Sequence, residues 1–368
     1  MKYIAFYLPQ YHPIKENNEW WGEGFTEWFN VAKSKPRFKG HYQPHIPTTM
    51  GFYDLRVPET REKQAQLALE YGIDGFCYYH YWFNGHLLLE KPLEAVLHDK
   101  KPEFPFCICW ANENWTRAWD GMEREVLIKQ DYTEEDSLEH FNYLLPFLKD
   151  NRYIKIDNRP VFLLYRYDNI PDIDNFIQTW NKMAIDNGLN GLYFICVRNG
   201  FVTASYDEIF SHYFDAVVDF QPNRTDFPTI KTKEQFFVDI ARKLLPNTFF
   251  QYLKRNISAV NKISYKHMVE NIVHSYATKP SKVIPAIFPS WDNSARRVTP
   301  TIIQNNEADI FGYWLDEASE FAANNGLTET IVFINAWNEW AEGCHLEPDL
   351  QNGTSFLEQV KQVKRKYE

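Results

Sequence analysis

The sequence is poor in the features that most redox, phosphate and membrane chemistry requires. Its 368 residues include five cysteines. Cys77, Cys107, Cys109 and Cys196 lie in strand-like apolar runs where a thiol reads as a small buried hydrophobe, Cys344 is the exception, and nothing points to a disulfide framework. There is no Cys-x-x-Cys pair, no His-Glu-x-x-His helix, no Gly-x-Ser-x-Gly elbow and no glycine-rich phosphate loop after a strand. No run reaches the roughly 18 apolar residues that cross a bilayer, and the chain enters a strand pattern at Tyr3 without a charged leader. These absences predict no transmembrane segment and a cytoplasmic chain as given, or an extracytoplasmic one where a signal has been removed. Positive charge is short as well: 39 Lys and Arg against 49 Asp and Glu leave a formal charge of -10. A protein that displaces counterions from a phosphate backbone concentrates the opposite sign, so nucleic acid is not an expected partner.

What is abundant is aromatic surface. The chain carries 12 Trp, 22 Tyr and 28 Phe, 17% of all residues, within an ordinary balance of 44% hydrophobic and 24% charged. That is more flat apolar surface than a core of this size needs, which predicts that some of it faces a ligand.

Eight short apolar runs recur: 3–8, 73–79, 104–109, 160–165, 191–197, 215–220, 283–288 and 330–335. Most are followed by a polar or aromatic loop and then a helical pattern, the alternation of a parallel α/β fold, and eight is the number that closes a barrel. Helices are predicted near 59–71, 133–149, 174–187, 263–277 and 355–367. Another carries the stripe Phe311, Trp314, Leu315, Ala318, Phe321 and Ala322, with Gly326 placed for a left-handed end. The expected fold is one (β/α)8 TIM barrel over residues 1–368 with long loops at its C-terminal face. Two connections exceed the minimal barrel. The segment 9–58, with Trp20, Trp21 and Trp28, reads as a lid or cleft wall. The segment 223–262 mixes aromatics with Lys231, Lys233, Arg242, Lys243, Lys254 and Arg255, and reads as an amphipathic insertion packed on the barrel in preference to a peripheral membrane contact.

In such a barrel the reactive groups stand where strands end. The first run delivers Gln10, Tyr11 and His12; the second His80, Tyr81 and Trp82; the third Trp110, Asn112, Glu113, Asn114 and Trp115. Tyr165 and Arg166 follow the fourth, Arg198 and Asn199 the fifth, Gln221 and Asn223 the sixth, Trp291 and Asp292 the seventh. The eighth leads into Trp337-Asn338-Glu339-Trp340-Ala341-Glu342-Gly343. Aromatic plates beside amides, carboxylates, Arg and His suit sugar rings, which offer apolar C–H faces and a rim of hydroxyls, so an oligosaccharide or polysaccharide is the expected partner. Plugging of the barrel mouth is the competing reading for each ring taken singly.

Glu339 and Glu342 are three apart. On a helical turn their Cβ atoms fall about 5 to 6 Å from each other, close to the roughly 5 to 5.5 Å between the carboxyls of retaining glycosidases. Mutual repulsion and desolvation by Trp337 and Trp340 predict one raised pKa, hence a proton donor beside an ionised base. A solvated Glu pair on a first helical turn is the alternative. Glu113 is a competing acid or a substrate ligand, and Asp74 and Asp292 are weaker candidates, Asp74 because it can serve to orient its strand. His41 and His45 are four apart, yet Pro44 and Pro47 break any helix between them, which favours structural or sugar-contacting roles. No cofactor and no essential metal are expected.

Five segments carry a family resemblance: Tyr3-Ile-Ala-Phe-Tyr-Leu-Pro-Gln-Tyr-His-Pro13, Trp20-Trp-Gly-Glu-Gly-Phe-Thr-Glu-Trp28, Gly72-Ile-Asp-Gly-Phe-Cys-Tyr-Tyr-His-Tyr-Trp82, Cys109-Trp-Ala-Asn-Glu-Asn-Trp115 and Asn335-Ala-Trp-Asn-Glu-Trp-Ala-Glu-Gly343. Together they resemble the WbsX-type proteins, which are similar to glycoside hydrolase family 99, the endo-α-mannosidases. The resemblance implies a barrel and a retaining mechanism through a 1,2-anhydro sugar. In it Glu339 takes the proton of the sugar 2-hydroxyl, and Glu342 protonates the leaving oxygen and then activates water. Family 99 enzymes usually have His where this chain has Ala341. WbsX-type proteins are also commonly labelled glycosyltransferases of surface-polysaccharide assembly, including O-antigen and lipopolysaccharide. Three functions are therefore carried forward: an α-glycan hydrolase, a glycosyltransferase and a non-catalytic glycan-binding protein.

Overall fold

The computed structural model describes residues 1–117, 122–223, 226–227, 260–297 and 299–368. Its centre is a closed ring of eight parallel strands: β1 (Lys2–Tyr7), β2 (Gly75–Phe83), β3 (Phe106–Trp110), β4 (Arg159–Leu164), β5 (Tyr193–Arg198), β6 (Ala216–Asp219), β7 (Val283–Ile287) and β8 (Ile331–Ile334). Each strand hydrogen-bonds to the next in sequence, and β1 closes the ring by pairing with both β2 (Ile4 with Gly75) and β8 (Ile4 with Phe333). All eight lie within two or three residues of the expected runs at their starts. β2 extends four residues further, to Phe83, where it turns back into a short antiparallel partner at His86–Leu88.

Strands of a barrel are covered on both faces, by packed side chains within and by helices without, which is why they read as continuous apolar runs. Within, the Phe6 ring meets Tyr79, Phe220 and Phe333 at centroid separations of 5.5, 5.1 and 5.3 Å. Outside, Tyr3 reaches Ser319 at 2.9 Å and Tyr7 donates to Gln64 at 2.7 Å, so the period-two alternation of β1 is plain.

The outer layer contains α1 (Lys15–Trp21), α2 (Glu27–Lys33), α3 (Pro58–Glu70), α4 (Lys91–Asp99), α5 (Glu134–Leu148), α6 (Ile173–Asp186), α7 (Tyr206–Ser211), α8 (Tyr265–Ser275), α9 (Ala308–Ala323) and α10 (Ser355–Lys366). The six predicted helices are α3, α5, α6, α8, α9 and α10. The others are short, at 6 to 9 residues, and offer too few turns for a periodicity to show. Helix α9 stops at Ala323, and Gly326 takes the left-handed conformation (φ 79°) three residues later. At the opposite end of the barrel from the site, Asp74 accepts from the Tyr3 amide at 2.7 Å and from Lys364 at 2.7 Å, a strand-orienting role. The five thiols are buried and unpaired with one another.

The long first connection holds α1 and α2 and folds across the C-terminal ends of β1 and β8. There Trp28 packs on Trp340 at 5.6 Å and donates its indole N–H to the Tyr53 carbonyl at 2.7 Å. Of the second long connection, residues 228–259 lie outside the described residues, and with them the predicted amphipathic insertion.

Candidate active site

At the C-terminal mouth a cavity of about 240 Å³ is lined by Leu8 and Gln10 after β1, Tyr79 and Tyr81 of β2, Ala111 and Glu113 after β3, and Tyr165 after β4. Phe220, Trp291 and Arg296 close its β6–β7 side, and Asn335, Glu339 and Glu342 supply the β8 wall. The carboxylate pair owes its placement to a tight local turn. Asn338 and Glu339 pair antiparallel with His345 and Cys344, and of the four residues between, Trp340 to Glu342 form one 3-10 turn ended by Gly343 in the left-handed region (φ 56°). A side chain at Gly343 would also press on Asp292, whose atoms lie 3.0 to 3.2 Å from where a Cβ would sit.

Both carboxylates meet one guanidinium. Arg296 donates to Glu339 at 2.7 Å, contacts Glu342 at 3.2 Å, and donates through two nitrogens to Glu27 at 2.7 and 3.0 Å. Three carboxylates against one buried cation leave an excess of negative charge that a low-dielectric site disfavours. The excess falls on Glu339, which is 7% exposed. Burial raises its pKa to about 8; Arg296 opposes the rise, and Glu342 and Glu27 add to it. The direction of that shift favours the protonated form of Glu339 in the substrate-free protein. The sequence predicted one raised carboxyl; the resemblance gave the base role to the residue on which the rise falls.

A family model described as Glycosyltransferase WbsX matches residues 3–360. The chain belongs to that family. Over 362 residues, 98% of its length, it is 37% identical to the uncharacterized protein WxcX of Xanthomonas campestris pv. campestris, of which it spans about half, 49%. In fold it resembles the GH99 endo-alpha-mannosidase of Bacteroides thetaiotaomicron (TM-score 0.58, 13% identity, covering 99% of this chain and 97% of the other). It also resembles a glycoside hydrolase-like protein (TM-score 0.59, 16% identity, 98% and 93% covered). At these identities the structural likeness establishes the barrel.

Several residues expected in the cleft of this WbsX-family barrel stand elsewhere. Alternation along β2 sends Tyr79 and Tyr81 to the cavity, but His80 and Trp82 outward to α5, where His80 meets His140 at 2.9 Å and the Trp82 indole donates to Asp136 at 2.7 Å. Trp110 follows them out, packing on His140 and Phe176. Asn112 is fully buried and pins two loops, donating to the Arg166 carbonyl and accepting from its amide. Tyr11 supports the motif from beneath: its hydroxyl donates to the Asn338 carbonyl at 2.8 Å and accepts the Trp340 amide at 3.0 Å. Asn338 clamps the exit of β1 by accepting from the Leu8 amide and donating to its carbonyl. Trp337 is buried in the core against Phe76. His12 is enclosed, and burial holds its pKa down at about 4. Arg198 is spent on Asp219, itself paired with Lys279. Tyr81, Glu113, Tyr165, Trp291, Glu339 and Glu342 do come together around one cavity.

Two charged residues that sequence reasoning passed over complete the site. Glu27 is carried by α2, two turns long, and Arg296 follows a 3-10 turn at Asn293–Ala295, beyond the strand-seven exit. Asp292 is buried but committed: His41 and Gln43 reach its carboxylate at 2.7 and 2.6 Å, and its own amide donates to the Glu342 carbonyl at 2.7 Å. Behind the motif, Glu347 accepts from Trp340, Tyr53 and Gln64, each at 2.7 Å, and burial raises its pKa to about 7. Among the described residues one group, His45, His345 and Asp349, has donor atoms close enough to hold a metal ion. No described helix is long and apolar enough to cross a membrane.

Proposed function

We propose that this chain is a glycan-active enzyme, and within that class a retaining hydrolase of an α-linked, mannan-like chain that uses Glu339 and Glu342. The observation that carries the reading is the sharing of Arg296 by these two carboxylates at an aromatic-walled cavity on the catalytic face of a barrel. The family description and the glycoside hydrolase neighbours support the class. In the proposed route Glu342 protonates the departing glycosidic oxygen. Glu339, ionised because its proton passes to Glu342 as substrate binds, takes the 2-hydroxyl proton so that the sugar oxygen attacks its own anomeric carbon, giving a 1,2-anhydro sugar. Water activated by Glu342 then opens that ring as Glu339 returns the proton to the departing sugar oxygen. The two displacements at the anomeric carbon retain its configuration. Tyr79, Tyr81 and Trp291 are the platforms available to the sugar faces. At about 240 Å³ the cavity is smaller than the roughly 300 to 1,000 Å³ of sites that enclose a drug-sized ligand, which suits one saccharide unit with its neighbours outside.

The family description supports a second reading, glycosyl transfer, with a saccharide hydroxyl in place of water; the resemblance of the sequence would put such a transfer in surface-polysaccharide assembly. The sequence Asp172-Ile-Asp174 does not supply that reading with a nucleotide site: Asp172 caps α6 by accepting the Asn175 amide at 3.0 Å, and Asp174 pairs with His212 at 3.0 Å. Digestion of a glycan library, with the product anomer read by NMR, tests the proposal. The expected result is an α-linked substrate cleaved to an α product, and no cleavage by Glu342→Gln. Cleavage at the same rate by that variant overturns it, and elongated products without hydrolysis favour transfer.

A further inference from the structure

We infer that His45, His345 and Asp349 form a divalent transition-metal site, best matched to Zn²⁺, that braces the hairpin bearing Glu339 and Glu342. The inference is independent of the glycan reading.

Geometry carries it. His45 Nδ1 and His345 Nε2 are 2.9 Å apart, and Asp349 Oδ2 lies 3.9 Å from the first and 3.6 Å from the second. A point equidistant from the corners of a triangle with those sides lies about 2.0 Å from each. Zinc–imidazole and zinc–carboxylate bonds are about 2.0 to 2.2 Å long. A hydrogen bond joins the two rings, whereas 3.6 and 3.9 Å are too long for Asp349 Oδ2 to accept from either of them. A carboxylate oxygen facing two imidazole nitrogens at these separations has the spacing of a ligand set.

The surroundings supply what such a set requires. His345 Nδ1 donates to the Glu347 carbonyl at 2.8 Å, which fixes the tautomer and leaves Nε2 with its lone pair toward the site. Asp349 is oriented by the Gln351 and Asn352 amides on Oδ1 at 2.9 and 2.6 Å, and by the Asn352 side chain on Oδ2 at 3.0 Å. His45 moves its ring proton from Nδ1 to Nε2 on binding, with no change in charge. All three residues are buried, yet His45 also lines a cavity of about 400 Å³ with Tyr42, Gln351 and Asn352, which provides entry and room for a water as fourth ligand.

The site joins three chain segments. His345 is the strand partner of Asn338, and its ring stacks on Trp340 at 3.7 Å and 16°. Asp349 begins the turn after the hairpin, and His45 comes from the long first connection. A bound ion therefore ties the cleft wall to the turn that presents the two carboxylates.

The test uses the full chain, stripped with chelator and titrated with Zn²⁺ alone, and then with Co²⁺ followed by visible absorption. One equivalent should bind, the melting temperature should rise with free Zn²⁺, and Co²⁺ should give the intense bands of four-coordination. His45→Ala, on a loop, and Asp349→Asn should each weaken binding by about a hundredfold or more, since losing even a partner of a ligand costs about 10- to 100-fold. Circular dichroism of the metal-free variants checks that they fold. Zinc-edge X-ray absorption of the wild-type protein decides the matter even if both variants unfold, through two imidazoles and one carboxylate at about 2.0 to 2.1 Å. No saturable binding, binding unchanged in both folded variants, or a zinc shell without imidazole overturns the inference.

Discussion

Two strand exits on the same barrel face each set a glutamate against an arginine, and they differ in how the charge is settled. After β3, Glu113 meets Arg166 at 2.6 Å, and Arg166 also pairs with Asp168 at 2.8 Å; both acids are more than a third exposed, so water shares the load. After β8, Arg296 serves Glu339, Glu342 and Glu27 where no side chain is more than 20% exposed. Solvent cannot settle that imbalance, and a proton on Glu339 does. That difference is why the proposed chemistry is assigned to the exit where carboxylates outnumber cations away from water, although both exits carry the Asn-Glu sequence that marks a candidate acid.

The largest effect that would sharpen the contrast is on turnover. Glu342→Gln and Glu339→Gln should each reduce kcat by about 10² to 10⁴, the usual contribution of an acid or base group. Glu113→Gln should cost about fivefold or less, one ordinary hydrogen bond. Equal losses at the two exits would break the comparison. Next comes stability: Arg296→Met strands buried carboxylates and should cost about 3 to 5 kcal/mol in denaturant unfolding, against about 1 kcal/mol or less for Arg166→Met.

The smallest effects depend on pH. A carboxyl whose folded pKa is raised from 4.5 to about 8 binds its proton more tightly folded than unfolded. Its stabilising contribution is present below about 4.5 and lost as pH climbs to 8. The melting temperature of Glu339→Gln relative to the wild type should accordingly rise across that window and level off above it. The proposed route needs one proton on the Glu339–Glu342 pair, so kcat/KM, which reports the free enzyme, should fall as pH rises through about 8 and the pair loses it; a kcat/KM that keeps rising past that pH would contradict the route.

The barrel was legible because strands covered on both faces leave apolar runs that stand out against polar loops, and the position of the β8 pair because a strand's exit delivers its residues to the mouth, where both carboxylates line the cavity. What stayed hidden has local causes. Tyr79-His80-Tyr81-Trp82 offers no polar–apolar contrast, so its alternation between cavity and helix layer could not be read. Glu27 sits on a seven-residue helix, and Arg296 lies five residues past Trp291 behind a 3-10 turn, outside any strand-end inventory. The His45, His345 and Asp349 cluster joins positions 300 residues apart through a bridge between Pro47 and Asp349, which no spacing rule detects.

The most direct measurement is a carbon-13 NMR titration of the glutamate side-chain carboxyls, with Glu339→Gln used to assign the signal. One carboxyl resonance, missing in that variant, should titrate near pH 8. If every glutamate is ionised by pH 6, no proton is held at the β8 exit, and the arrangement of acid and base described here is contradicted.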